Sequence, residues 1–139
     1  MADAFLTQIG AHLKGYGYRI EDEKDSLTAY GDRISLPTLT VSRAGPGAII
    51  TIRFTVGEEA SDDKPGFLSF LNGANRTAIV ARFYEGDRGM IIEAWYPLED
   101  VDEQRFRAFF NQLIEDINAP KRNEELVAKY FHSKSTISS

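Results

Sequence analysis

The sequence predicts an α+β domain in which one antiparallel sheet carries helices on a single face. Three observations point there. Residues Ala48 to Val56 place Ile50, Ile52, Phe54 and Val56 in alternation with Ile49, Thr51, Arg53 and Thr55, the period of two of a strand with one buried side. The segments around Phe5–Leu13, Phe67–Ala74 and Phe106–Ile117 instead repeat their apolar residues at three and four. Between two further apolar runs, Glu85-Gly86-Asp87-Arg88-Gly89 has the length and glycine content of a hairpin loop. Each helix thus has one apolar stripe and each clear strand one apolar side, so two layers bury both.

The first helix collects Phe5, Leu6, Ile9 and Leu13, with Asp3 placed to accept its first free amides and Gly15-Tyr16-Gly17 placed to end it. Strands follow at Tyr18–Glu21 and Leu27–Tyr30, separated by the polar run Asp22 to Ser26. Ile34 to Val41 reads as extended, but Pro37 has no amide to donate to a ladder, so this strand lies at an edge or begins near Leu36. The turn Arg43-Ala44-Gly45-Pro46-Gly47 leads into the alternating strand. An acidic loop then precedes Pro65, which suits the first turn of a helix striped by Phe67, Phe70, Leu71 and Ala74.

A four-residue loop from Glu85 to Arg88 would pair Ala81 with Ile92 and Ile79 with Ala94. That register gathers Ile79, Ala81, Phe83, Met90, Ile92, Ala94 and Tyr96 on the inner side. Val80, Arg82, Tyr84, Ile91, Glu93 and Trp95 then face outward. Asp100 and Glu103 have capping-box spacing ahead of the last long helix, which Pro120 stops. Glu124 to Phe131 reads as a short terminal helix.

With 139 residues the chain builds one domain, assigned to residues 1–132, followed by a polar tail at 133–139. Apolar residues make up 42% and charged residues 27%, and nine Phe, six Tyr and one Trp fill a core, which excludes a disordered chain. A net charge of -5 with scattered Lys and Arg forfeits the counterion release that drives nucleic-acid affinity, so no nucleic-acid partner is expected. The absence of Cys removes disulfides and thiolate chemistry. No basic leader opens the sequence and no run approaches the ~20 apolar residues of a membrane span, so the expected location is cytoplasmic, with no membrane partner.

The sequence offers little chemistry. Only His12 and His132 could act as imidazole bases, and both read as surface residues. Glu58, Glu59, Asp62 and Asp63 lack the alternate spacing of a calcium loop and read as negative charge before a helix N-terminus. Gly45-Pro46-Gly47 and Gly86-Asp87-Arg88-Gly89 are turns without the lysine of a phosphate loop. Asn72 and Asn75 read as structural, satisfying backbone groups. No catalytic residue, cofactor or metal site is therefore assigned, and an enzyme is not expected.

Leu13-x-x-Tyr16-Gly17-Tyr18, Pro37-Thr38-Leu39-Thr40-Val41, Leu71-Asn72-x-x-Asn75, Arg82-Phe83-Tyr84 and the Phe106–Ile117 helix together resemble the YbjN family of bacterial proteins, over most of residues 5 to 118. The resemblance implies an α-β-β-β-α-β-β-α domain with a fold like that of type III secretion chaperones. It also implies a homodimer and a regulatory or chaperone-like role without catalytic residues. A protein or peptide partner follows as an expectation, with an authentic secretion chaperone or a small-ligand sensor as alternatives. On the outward sheet face, Arg53, Arg82, Tyr84, Glu93 and Trp95 are the candidate interface positions, because aromatic residues and Arg are enriched at protein interfaces. That face either meets a partner or is partly covered by the terminal segment bearing Leu126, Val127, Tyr130 and Phe131.

Overall fold

The computed structural model describes residues 4–31, 36–55, 62–86, 89–97 and 102–121. Their order is α1 (Ala4–Gly15), β1 (Arg19–Asp22), β2 (Ser26–Tyr30), β3 (Leu39–Ala44), β4 (Gly47–Thr55), α2 (Lys64–Thr77), β5 (Ala81–Glu85), β6 (Gly89–Tyr96) and α3 (Glu103–Lys121). The strands form one six-stranded sheet in the order β1-β2-β3-β4-β6-β5. Every neighbouring pair is antiparallel. The chain is therefore α+β as expected, with four strands in its first block.

One sheet face is largely apolar, with Arg43 laid over the Phe5 ring at 4.4 Å. Leu27, Val41, Ile50, Ile52, Phe83 and Ile92 are buried there, under Ile9 and Leu13 of α1, Phe67 and Phe70 of α2, and Phe106 and Leu113 of α3. Tyr16, Tyr18, Tyr96, Phe106 and Phe110 form an aromatic seam between α1, the sheet and α3, with ring centroids 5.2 Å apart for Tyr16 and Phe110 and 5.4 Å for Tyr96 and Phe106. His12 stacks on Phe106 at 5.7 Å in this seam, so it is half-buried between helices instead of lying on the polar side of α1.

The turns follow the chemistry of their residues. At the end of α1 the Tyr18 amide donates to the Leu13 carbonyl at 3.1 Å and the Gly17 amide to that of Lys14 at 3.0 Å, with Gly17 at φ 109, a Schellman closure that requires glycine. Gly45, at φ 57, and Pro46 form a two-residue loop between Ala44 and Gly47, where glycine at the first position supplies the twist of a II′ hairpin. Gly47 has no room for a Cβ, which would run into the Tyr96 carbonyl. Asp63 caps α2 by accepting from the Gly66 amide at 3.1 Å, which bears out the reading of acidic charge ahead of that helix.

Several expectations are corrected. Strand β3 starts at Leu39 and lies inside the sheet, because Pro37 stands before the ladder, where its carbonyl accepts from the Tyr18 hydroxyl at 2.8 Å. The β5–β6 register pairs Ala81 with Ala94 and Phe83 with Ile92, two residues from the expected alignment. A shift of two preserves the faces, so the inner set survives except for Ile79, which is 74% exposed. Helix α3 is capped by Asp102, whose side chain accepts from the Gln104 amide at 2.8 Å, and it continues through Pro120 to Lys121. Asp100, the expected cap, lies outside the described residues. So do Asp3, Val56, Glu58, Glu59, the terminal helix expected at 124–131, His132 and the tail.

The turn sets this register, centred one residue later than expected, with the Gly86 amide donating to the Gly89 carbonyl at 2.7 Å. Ile79 leaves the ladder because of Asp116, the one buried polar or charged residue among those described, 4% exposed on α3. Its Oδ2 accepts from three successive amides, those of Ile79, Val80 and Ala81, at 3.0, 2.8 and 2.9 Å. Its Oδ1 accepts from the Gln112 amide nitrogen at 2.9 Å. Those three amides face the carboxylate, and the ladder begins only at Ala81. A buried carboxylate is tolerated because it is so fully hydrogen-bonded. Removing it strands the amides, so Asp116→Ala should lower stability by about 3 kcal/mol in urea unfolding, and Asp116→Asn by less. A loss below about 0.5 kcal/mol would show that water replaces the carboxylate.

Burial of Tyr18 raises the pKa of its phenol far above the usual 10.0. The folded state holds this proton more tightly than the unfolded chain, so the stabilisation is complete below the unfolded value and is lost as pH rises above it. At neutral pH Tyr18→Phe should cost about 1 kcal/mol through the orphaned Pro37 carbonyl. Above pH ~10 the wild type loses about 1.4 kcal/mol per pH unit that the variant keeps, so their unfolding midpoints should converge and then cross.

Candidate functional site

The opposite sheet face carries the candidate interface residues. Its register sets them on a grid: Arg53 beside Ile91 beside Tyr84 in one row, Thr51 beside Glu93 beside Arg82 in the next, and Ile49 beside Trp95 in the third. All five candidates, Arg53, Arg82, Tyr84, Glu93 and Trp95, fall on this part of the sheet. Strand alternation explains it, since each is one residue away from a buried neighbour. Val80, expected in the same set, lies before the ladder and packs against the core.

The grid is half apolar and half ionic. Trp95 is 50% exposed and Tyr84 40%, while their row neighbours Ile49 and Ile91 are half-buried. The Tyr84 hydroxyl donates to Glu93 Oε2 at 3.0 Å, and Arg82 reaches Glu93 Oε1 at 3.9 Å. The Trp95 indole points its N–H at the Ala44 carbonyl, 3.4 Å away, which holds the ring along the sheet. Burial raises the pKa of the Tyr84 phenol, and the hydrogen bond to Glu93 and that carboxylate's charge raise it further. Toward β2 and β3 the face becomes hydroxylic, with Thr51 beside Thr40 beside Thr28 and Ile49 beside Ser42 beside Ser26.

The β5 edge is differently built. Asn75 of α2 donates from Nδ2 to the Phe83 carbonyl at 2.8 Å and accepts from the Phe83 amide at 2.6 Å. Its carboxamide thus occupies the hydrogen-bonding position a further strand would take. This is a structural role, as expected, although the bond reaches across to a strand. A groove of about 760 Å³, open to solvent, runs along this edge over Asn75 and residues 78–84. No group of three or more His, Cys, Asp or Glu side chains placed to hold a metal occurs among the described residues. No helix among them is long and apolar enough to cross a membrane.

Fold and site define a two-layer α+β domain with helices on one sheet face and an aromatic, arginine-bearing surface on the other. Among solved structures the chain is similar to YbjN from E. coli, a candidate transcription regulator, with a TM-score of 0.62 and 13% identity over 83% of this chain and 87% of that one. No family model and no curated protein matches it. The likeness is one of fold.

Sequence reasoning missed Asp116. The signal was there, since Asp116 sits three residues after Leu113 and beside Ile117 in an otherwise apolar stripe.

Since burial, the Glu93 hydrogen bond and the Glu93 charge raise the pKa of the Tyr84 phenol while Arg53 and Arg82 lower it, Glu93→Gln should lower the phenol's titration midpoint. Difference absorbance against Tyr84→Phe isolates this group. An unmoved midpoint would mean that the carboxylate does not act on the phenol.

Proposed function

We propose that this chain is a non-enzymatic protein-binding domain that works as an adaptor or regulator through the outer face of its sheet. One observation carries the reading: Trp95 beside Ile49 and Tyr84 beside Ile91 form two aromatic and aliphatic rows, with Thr51, Glu93 and Arg82 between them and Arg53 at the end of one, on the side that no described helix covers. Large aromatic residues and Arg dominate the binding energy of protein interfaces, whereas an apolar patch without a partner is a solubility liability. The fold likeness to a candidate regulator supports the regulatory reading. The net charge of -5 favours regulation through protein contacts over direct contact with a nucleic acid.

Substitution of exposed residues leaves the core intact, so function separates from folding here. Trp95→Ala combined with Tyr84→Ala should abolish retention of proteins that the wild type captures from its host. Leu68→Ala, at a position 42% exposed on the helical side, should not. Quantitative mass spectrometry of the captured material decides it, and identical retention by all three chains would remove the outer face from consideration.

A further inference from the structure

We infer that the outer face receives an acidic, apolar-bearing peptide segment of another protein, engaged by the guanidinium groups of Arg53 and Arg82. The inference rests on the protein-binding reading of this face and names the chemistry of its partner.

The charges on the grid are unequal. Arg53 and Arg82 contribute two cations against the single carboxylate of Glu93. Glu93 is already engaged by the Tyr84 hydroxyl at 3.0 Å and is only 26% exposed, whereas Arg82 is 77% exposed and lies 3.9 Å from that carboxylate. Among the described residues no carboxylate pairs with Arg53, which is exposed. The uncommitted charge is therefore positive, on a chain whose net charge is -5. It flanks the one place on this face where aromatic and aliphatic side chains are concentrated.

Three occupants can be compared on that basis. A second copy stacked face to face would bring four guanidinium groups against two carboxylates, burying an uncompensated positive excess. A basic segment would oppose like charges. An acidic segment supplies what is missing, because carboxylates meet guanidinium forks through paired, charge-assisted hydrogen bonds. The spacing also fits. Arg53 and Arg82 are two strands apart across the sheet and one two-residue step apart along it, so their Cα atoms are separated by about 12 Å. In an extended peptide, same-side residues four apart span about 13 Å. Acidic residues at that spacing reach both arginines while an apolar residue midway rests on Ile91.

The test uses the full chain and two fluorescein-labelled peptides, one repeating Glu-Ser-Phe-Ser three times and one with Lys in place of each Glu. Anisotropy should show the acidic peptide binding at least about ten-fold more tightly, with salt weakening it. Arg53→Glu and Arg82→Glu should each cost about ten-fold, and Arg82→Lys less, since Lys keeps the charge but loses the fork. Equal binding of both peptides, lost in Trp95→Ala, would overturn the acidic preference and leave the binding face standing. Acidic-peptide binding indifferent to Arg53→Glu, Arg82→Glu and Trp95→Ala would overturn both. Failure of the acidic peptide to bind would overturn the inference, as would sedimentation of a dimer that Trp95→Ala dissociates, which would assign the face to a second copy.

Discussion

The contact between the Asp116 carboxylate and the amides of Ile79, Val80 and Ala81 fixes more of this structure than any other polar interaction in it. An apolar helix can slide or rotate on a sheet with modest loss, because burial has no direction. A carboxylate that satisfies three successive amides has one position only. It ties α3 to the segment that enters β5 and keeps Ile79 and Val80 out of the ladder, which begins at Ala81. The ladder that follows sets Arg82 beside Glu93 and Tyr84 beside Ile91 on the opposite face.

Covering one face creates the asymmetry on which the proposed function depends. All three described helices pack their stripes on the inner side, and the aromatic seam from Tyr16 through Phe106 to Tyr96 joins α1 and α3 to each other and to the sheet. The outer side chains are then constrained only by their strands. They can be hydroxylic over β2 and β3 and aromatic over β4, β6 and β5 without disturbing the core, as in other half-covered antiparallel sheets.

The parts of this architecture that follow from periodicity were legible in the sequence. Ile50, Ile52 and Phe54 sit inside because they alternate, and Phe106, Phe110, Leu113 and Ile117 because they repeat on one helix face. The outward placement of Arg53, Arg82, Tyr84, Glu93 and Trp95 followed from the same alternation. What was not legible depends on partners distant in the chain. Ile79 looks like the first inward residue of a strand until the Asp116 carboxylate, thirty-seven positions away, takes its amide. Pro37 suggested an edge strand, yet its carbonyl is held by Tyr18, nineteen positions earlier, and β3 simply starts later. Local spacing carries no information about such bonds, although a lone Asp within an apolar stripe is a usable flag.

The two ends of the sheet constrain how a partner could be received. At β5 three of the outward backbone groups are already taken, the Ala81 amide by Asp116 and both groups of Phe83 by Asn75. A segment seeking to add as a further strand would have to displace these bonds before forming its own. At the other end β1 is only four residues long and bears Arg19, Glu21 and Asp22, a short charged edge of the kind that discourages strand addition. With both edges protected in this way, recognition by main-chain pairing is disfavoured, and the proposed contacts fall to side chains on the face. Such contacts read composition and charge instead of backbone register. They suit a surface whose aromatic rings supply area and whose arginines, set on separate strands, supply direction.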